Sequence, residues 1–205
     1  MAVYTKLNKE NIEAILTSYS IGQLEKFKGI EDGIENTNYF LLVSDKKYIL
    51  TIYEKRVKEK DLPFFSDLMT GLDKKKFKCP VPIKNKDNKT ITSYKNKSLM
   101  IVSFLEGGAK NILSTENCKS LGYEVARMHL ITKDFKIQRQ NDLSVGSWRK
   151  IFEQVKDKCN SIHKDLPKLI ESNLNDVEKN WPKDLPRGII HADLFSDNIF
   201  FKDDK

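Results

Sequence analysis

The chain has 205 residues, 39% of them hydrophobic and 32% charged, which is the balance of a folded globular protein and not of a disordered one. That length allows one sizeable core or two small lobes around a cleft, and no run approaches the roughly 20 apolar residues of a membrane span. The net charge of +7 is carried mainly by lysines spread from Lys6 to Lys205, with five arginines among 36 basic residues and no aromatic-interleaved basic stripe, so the pattern argues against a nucleic-acid partner. Cys79, Cys118 and Cys159 are odd in number and far apart, which excludes a disulfide framework and a zinc knuckle. Behind the first charges from Met1 to Lys6 there is no apolar run, so no secretion signal is read and the cytoplasm is the expected location.

In chain order, Asn8 to Tyr19 predicts a helix capped by Asn8, with Ile12, Ile15, Leu16 and Tyr19 on one face. Three strands follow, over Gln23–Ile30, Tyr39–Val43 and Tyr48–Tyr53, separated by turn signals at Glu31-Asp32-Gly33 and Ser44-Asp45-Lys46-Lys47. Asp61 to Lys76 predicts an amphipathic helix carrying Leu62, Phe65, Leu68, Met69 and Leu72, closed by lysines that suit a helix C-terminus. A hairpin is expected next, with its turn at Lys86-Asp87-Asn88 and a last strand at Leu99–Phe104. After Leu105-Glu106-Gly107-Gly108 the pattern turns helical, with predicted helices over Ser114–Ile131, Ser147–Ile162 and Leu166–Trp181. Gly188-Ile189-Ile190 reads as a short strand, and Ile199-Phe200-Phe201 as another.

Between those last two lies His191-Ala192-Asp193-Leu194-Phe195-Ser196-Asp197-Asn198, which matches H-x-D-L-x-x-x-N, a phosphoryl-transfer loop pattern with the usual arginine replaced. Four fixed positions would arise by accident in about one chain of this length in a thousand. Phosphoryl transfer needs positioning and charge neutralisation more than covalent help, and the pattern supplies both. Asp193 takes or orients the proton of an attacking hydroxyl, Asn198 offers an oxygen to Mg²⁺, and His191 supports the loop. The chain's positive charge is compatible with a cleft that attracts ATP.

The loop resembles that of the aminoglycoside phosphotransferase and choline kinase group, and the whole chain is similar to the bacterial homoserine kinases within it. The segments that carry this are Met1–Thr5, Gly29–Tyr39, Tyr48–Arg56, Leu62-Pro63-Phe64-Phe65, Arg139-Gln140-Asn141 and Trp181–Gly188. The resemblance implies an α+β, two-lobed protein-kinase-like fold, with an N-terminal antiparallel sheet lobe over 1–105 and an incomplete, mainly helical lobe over 106–205 holding the catalytic loop 191–198. It also implies ATP-dependent, Mg²⁺-assisted phosphorylation of the L-homoserine hydroxyl, on the way to threonine, with no membrane or nucleic-acid partner. Gly29 and Gly33 would flank a loop that lies with Asn36 and Asn38 over the ATP phosphates, and Glu106 would stand at the hinge beside adenine.

Two departures from the group are visible. Thr51 stands where the group carries the lysine or arginine that holds the phosphates; Lys55 and Arg56 are the nearest cations, and both a phosphate contact and a solvated strand end fit them. The group's second magnesium ligand would follow Lys205, so the 205 residues alone are expected to be catalytically silent and to leave an unpaired edge at Ile199–Phe201 through which copies associate. A kinase for another small alcohol and an inactive nucleotide-binding remnant both remain compatible with the residues, and the oligomeric state is not written in them.

Overall fold

A computed structural model describes residues 4–31, 35–54 and 57–202; Gly33 and Lys55 lie outside the described residues, as does Arg56. The described residues fall into two compact units, one running to Gln138 and resuming at Ile189, the other spanning Arg139–Gly188.

The first unit is organised by an antiparallel sheet of β1 (Leu24–Ile30), β2 (Thr37–Val43), β3 (Lys46–Ile52), β5 (Lys97–Ser103) and β4 (Ile91–Tyr94), in the spatial order β1-β2-β3-β5-β4. β2 and β3 are joined by Ser44 and Asp45, both with positive φ, 44° and 62°. Such a two-residue turn matches the strand twist and leaves one register open, here Val43 opposite Lys46 and Asn38 opposite Thr51. The register fixes the faces. Tyr39, Leu41, Val43, Tyr48, Leu50, Ile52, Leu99 and Ile101 are buried on one side, where α1 (Lys9–Leu16) covers them with Ile12, Ile15 and Leu16. Asn38, Phe40, Leu42, Ile49, Thr51 and Val102 look the other way and are only half-buried. α1 starts at a reciprocal cap in which the Asn8 and Asn11 side chains each accept the other's backbone N–H, at 2.9 and 3.4 Å.

α2 (Leu62–Lys74) follows a 3₁₀ turn at Glu59–Asp61, and α3 (Thr115–Thr132) opens on a second capping box between Ser114 and Asn117. α2 has a glycine where the Phe135 ring approaches; a Cβ at Gly71 would stand 2.6 Å from it. The second unit is a helical hairpin of α4 (Val145–Cys159) and α5 (Leu166–Asn180) around Phe152, Cys159 and Leu174, braced by Arg149 on Glu178 at 2.7 Å and by the Trp148–Trp181 edge-to-face pair.

Three sequence expectations are corrected. The β4–β5 turn is Lys95-Asn96, both with positive φ, and not Lys86–Asn88, which forms a separate loop closed by the Asn85 side-chain oxygen accepting from the N–H groups of Asp87 and Lys89. Gly188–Ile190 is extended but pairs with no strand among the described residues. Ile199–Phe201 is not wholly unpaired: Phe201 exchanges both backbone hydrogen bonds with Gly108, at 3.0 and 3.1 Å, in an isolated bridge.

The end of β3 is held by a carboxylate that no sequence pattern announces. Glu54, its side chain 9% exposed, accepts from the hydroxyls of Thr5 and Thr37, at 2.6 and 2.7 Å, and pairs with the Lys97 ammonium. Thr37 in turn accepts the N–H groups of Tyr4 and Thr5, so the N-terminal segment, β2, β3 and β5 meet at one group. Burial pushes the Glu54 carboxyl up, but the hydrogen bonds from Lys97, Thr5 and Thr37 outweigh it and hold the group below its ordinary value of 4.5. A carboxyl depressed in the folded state adds stability above its ordinary value, and that stability is lost as pH falls through the folded one. Glu54→Gln is therefore expected to cost about 1–3 kcal/mol near neutrality. In urea unfolding at pH 7 and pH 3, the difference between wild type and variant shrinks at the lower pH; an equal difference at both would deny the charge any part.

Candidate active site

The loop 191–198 is shaped by one strained residue and one short turn. Ala192 has φ +64°, a left-handed conformation that costs a residue with a Cβ on the order of 1–2 kcal/mol and is kept where surrounding structure demands it. Ser196–Asn198 forms a 3₁₀ turn, with the Asn198 N–H donating to Phe195 O at 2.9 Å. Immediately after it Ile199 and Phe201 are buried, 8% and 7% exposed, while Phe200 between them is 60% exposed. The alternation anchors the C-terminal end of the loop in the core and leaves its polar residues at the surface.

Within this frame Asp193 and Asn198 meet. The Asn198 amide donates to both the backbone carbonyl and the carboxylate Oδ2 of Asp193, each at 3.0 Å. With both contacts made through Nδ2, the Asn198 oxygen points away from Asp193 and is free to accept or to ligate. Among the described residues the second carboxylate oxygen of Asp193 likewise has no partner and is left for a donor. Asp193, Asn198 and His191 are all exposed, and His191 makes no hydrogen bond among the described residues.

The glycine-rich segment after β5 is joined to the same loop. Gly107 has φ +147°, and a Cβ there would stand 3.1 Å from Phe201 O, so both the backbone conformation and the close approach require glycine. Gly108 makes the bridge to Phe201, three residues past Asn198. Glu106 is exposed and accepts from Lys47 at 2.7 Å; that hydrogen bond first, then the charges of Lys47 and Lys202, hold its carboxyl below the usual range. Lys110 stands 5.4 Å over the Phe201 ring.

Of the remaining expected residues, Gly29 lies in β1 opposite Tyr39, and Asn36 stands just before β2, its Oδ1 accepting the Glu54 N–H at 3.3 Å. Thr51 hydrogen-bonds Asn38 across β2 and β3 at 2.8 Å. Sequence reasoning missed this pair and the Glu54 cluster. The turn at Ser44-Asp45 carried the signal for the first, since it dictates which residue faces Thr51; the second joins residues 43 and 49 positions apart, beyond any local pattern. Among the described residues no three His, Cys, Asp or Glu side chains gather as a metal cluster, and no helix is long and apolar enough to cross a membrane.

The chain is similar to known proteins along nearly its whole length. The chain is 43% identical over 201 residues to a homoserine kinase of Methylobacterium radiotolerans, covering 98% of this chain, and 44% identical over 205 residues to one of Paramagnetospirillum magneticum, covering all of it. It spans 63% of the length of each of those relatives. Among solved structures it is similar to spectinomycin phosphotransferase in complex with ADP and spectinomycin, at 13% identity and a TM-score of 0.67 over 97% of this chain and 66% of that one. An aminoglycoside phosphotransferase from Alicyclobacillus acidocaldarius has a TM-score of 0.57 at 12% identity, over 86% of this chain and 55% of that one. These likenesses identify the fold as α+β and protein-kinase-like. The profile of the phosphotransferase enzyme family matches residues 26–205, and the chain belongs to that family.

Proposed function

We propose that the protein is a homoserine kinase, which moves the γ-phosphoryl group of ATP to the side-chain hydroxyl of L-homoserine and releases O-phospho-L-homoserine and ADP. The observation that carries the proposal is the Asn198 amide on the Asp193 carboxylate at 3.0 Å, in a family whose chemistry is phosphoryl transfer. The choice of homoserine rests on relatives of that name at 43–44% identity, whereas the antibiotic phosphotransferases are similar in fold alone.

In the proposed reaction the homoserine oxygen attacks the γ-phosphorus as the bond to the β,γ-bridging oxygen breaks. The hydroxyl proton passes to the free oxygen of Asp193, while Asn198 keeps the other oxygen occupied and the carboxylate aimed. The outward oxygen of Asn198 is of the hard kind that Mg²⁺ accepts alongside phosphates and water, so its chemistry fits that cation. Asn198 would hold it, and when bound it would offset the negative charge of the triphosphate. The same reading assigns Gly29, Gly33, Asn36 and Lys55 to the phosphates, Glu106 and its neighbours to the adenine edge, and His191 to loop support. It also takes residues 1–105 as a nucleotide-binding lobe, 106–205 as a helical lobe, and the cytoplasm as the location.

Asp193→Asn in the full protein is expected to lower kcat by about 10²–10⁴-fold with ATP affinity nearly unchanged. Coupled ADP release on homoserine checks the first part and a nucleotide titration the second; wild-type turnover would remove Asp193 from the mechanism. ADP release on choline and aminoglycosides, run alongside, separates homoserine from other alcohols. Asn198→Ala should raise the Mg²⁺ concentration needed for half-maximal rate at fixed ATP. A fall in kcat with the same midpoint would mean that Asn198 serves Asp193 alone.

A further inference from the structure

On β3 the face that α1 leaves open carries Lys47, paired with Glu106 at 2.7 Å, and then Ile49 and Thr51, so past Lys47 that face of the strand holds no lysine or arginine. There Thr51 faces Asn38, and the Thr51 hydroxyl donates to Asn38 Oδ1 at 2.8 Å. That bond commits the carbonyl end of the amide, so the two N–H donors of Asn38 Nδ2 project outward, without a hydrogen-bond partner among the described residues. Two positions earlier, just before β2, Asn36 repeats the arrangement: its Oδ1 takes the Glu54 N–H at 3.3 Å, and its Nδ2 is likewise unpartnered among the described residues. Glu54 is itself immobilised by Thr5, Thr37 and Lys97, so the Asn36 amide is oriented from a rigid base.

We infer that Asn38, oriented by Thr51 and seconded by Asn36, is a neutral phosphate-binding site that grips the polyphosphate of a nucleoside triphosphate through amide N–H groups, in place of a strand cation. The inference rests on the kinase reading above and deepens it. Amide groups serve as donors to phosphate oxygens wherever their carbonyl ends are otherwise engaged. A neutral donor contributes direction but little charge, which suits a site where a cation carried in with the nucleotide supplies the neutralisation. A cross-strand pair formed for sheet stability alone would satisfy Thr51 and Asn38 equally well, but it would be indifferent to the phosphates of a ligand.

That difference is measurable. Binding of ATP and of adenosine is titrated against the full protein, wild type and variants, with folding followed by circular dichroism. Asn38→Asp sets an anion where the amide donated, and is expected to weaken ATP about tenfold or more while leaving adenosine unchanged. Thr51→Val, which releases the amide, weakens ATP by a smaller factor with the same selectivity. Thr51→Lys in the Asn38→Asp background recovers ATP binding by supplying the cation. Should Asn38→Asp fail to fold, Asn38→Ser takes its place, with the loss again confined to ATP. ATP affinity unchanged by these substitutions, or ATP and adenosine weakened together, overturns the inference and leaves the kinase reading standing. A wild-type protein that binds neither ligand overturns both.

Discussion

The two-residue turn at Ser44-Asp45 is the constraint on which the rest of the sheet depends. With both residues in left-handed conformations it admits a single pairing of β2 with β3, and a slip by one position would exchange the two faces of both strands. Leu41 and Leu50, fully buried beneath α1, would then face outward, and Asn38 and Thr51 would be driven into the core. Burying an amide and a hydroxyl while exposing two leucines costs several kcal/mol on each count, so the hydrophobic pattern and the turn enforce the same register. The half-exposed face and its polar pair are by-products of that agreement.

The Glu54 cluster completes what the register begins. Beyond Ile52 the strand pairing ends, and the chain there would fray if it had only backbone bonds to hold it. A carboxylate that takes two hydroxyls and an ammonium fastens it instead to the N-terminal segment, β2 and β5 at once. An exposed pair of this kind would contribute little, but with the acid side chain mostly removed from water the contacts are charge-assisted and mutually reinforcing. Because Asn36 hangs from the Glu54 N–H, the order in this cluster extends to the residue that opens β2.

Much of this was legible in the sequence where the physics is local. Asn8 and Ser114 cap their helices because a side-chain oxygen three residues before a backbone donor is a short-range relation, and both helices begin where those residues stand. The short apolar runs Tyr39–Val43 and Tyr48–Tyr53, set between turn signals, marked the strands. The β4–β5 turn was misread because Lys95-Asn96 lacks the glycine that usually marks such turns, while Asp87-Asn88 nearby carries a stronger polar signal that closes only a local loop. Gly188–Ile190 has the composition of a strand, but composition does not supply a partner. In the candidate site the spacing from Asp193 to Asn198 was visible as a pattern, and the direction of the amide was not, since it follows from the left-handed turn at Ala192 and the burial of Ile199.

That amide explains why the position calls for asparagine. The side chain must donate to the Asp193 carboxylate and still offer an oxygen outward, and at this length asparagine carries both groups on one planar head. An aspartate would set a second carboxylate about 3 Å from the first, where like charges raise one of the two pKa values and keep a proton on the pair. A base that is already protonated accepts nothing from an attacking hydroxyl, so the exchange would cost the proposed reaction its proton acceptor even as it added negative charge for a cation. Serine would keep an oxygen but fall short of Asp193 by a bond length or more, leaving the carboxylate free to rotate. The nitrogen of Asn198 thus governs the orientation of the base and its oxygen faces the proposed cation. One planar group couples the two, so moving either moves the other.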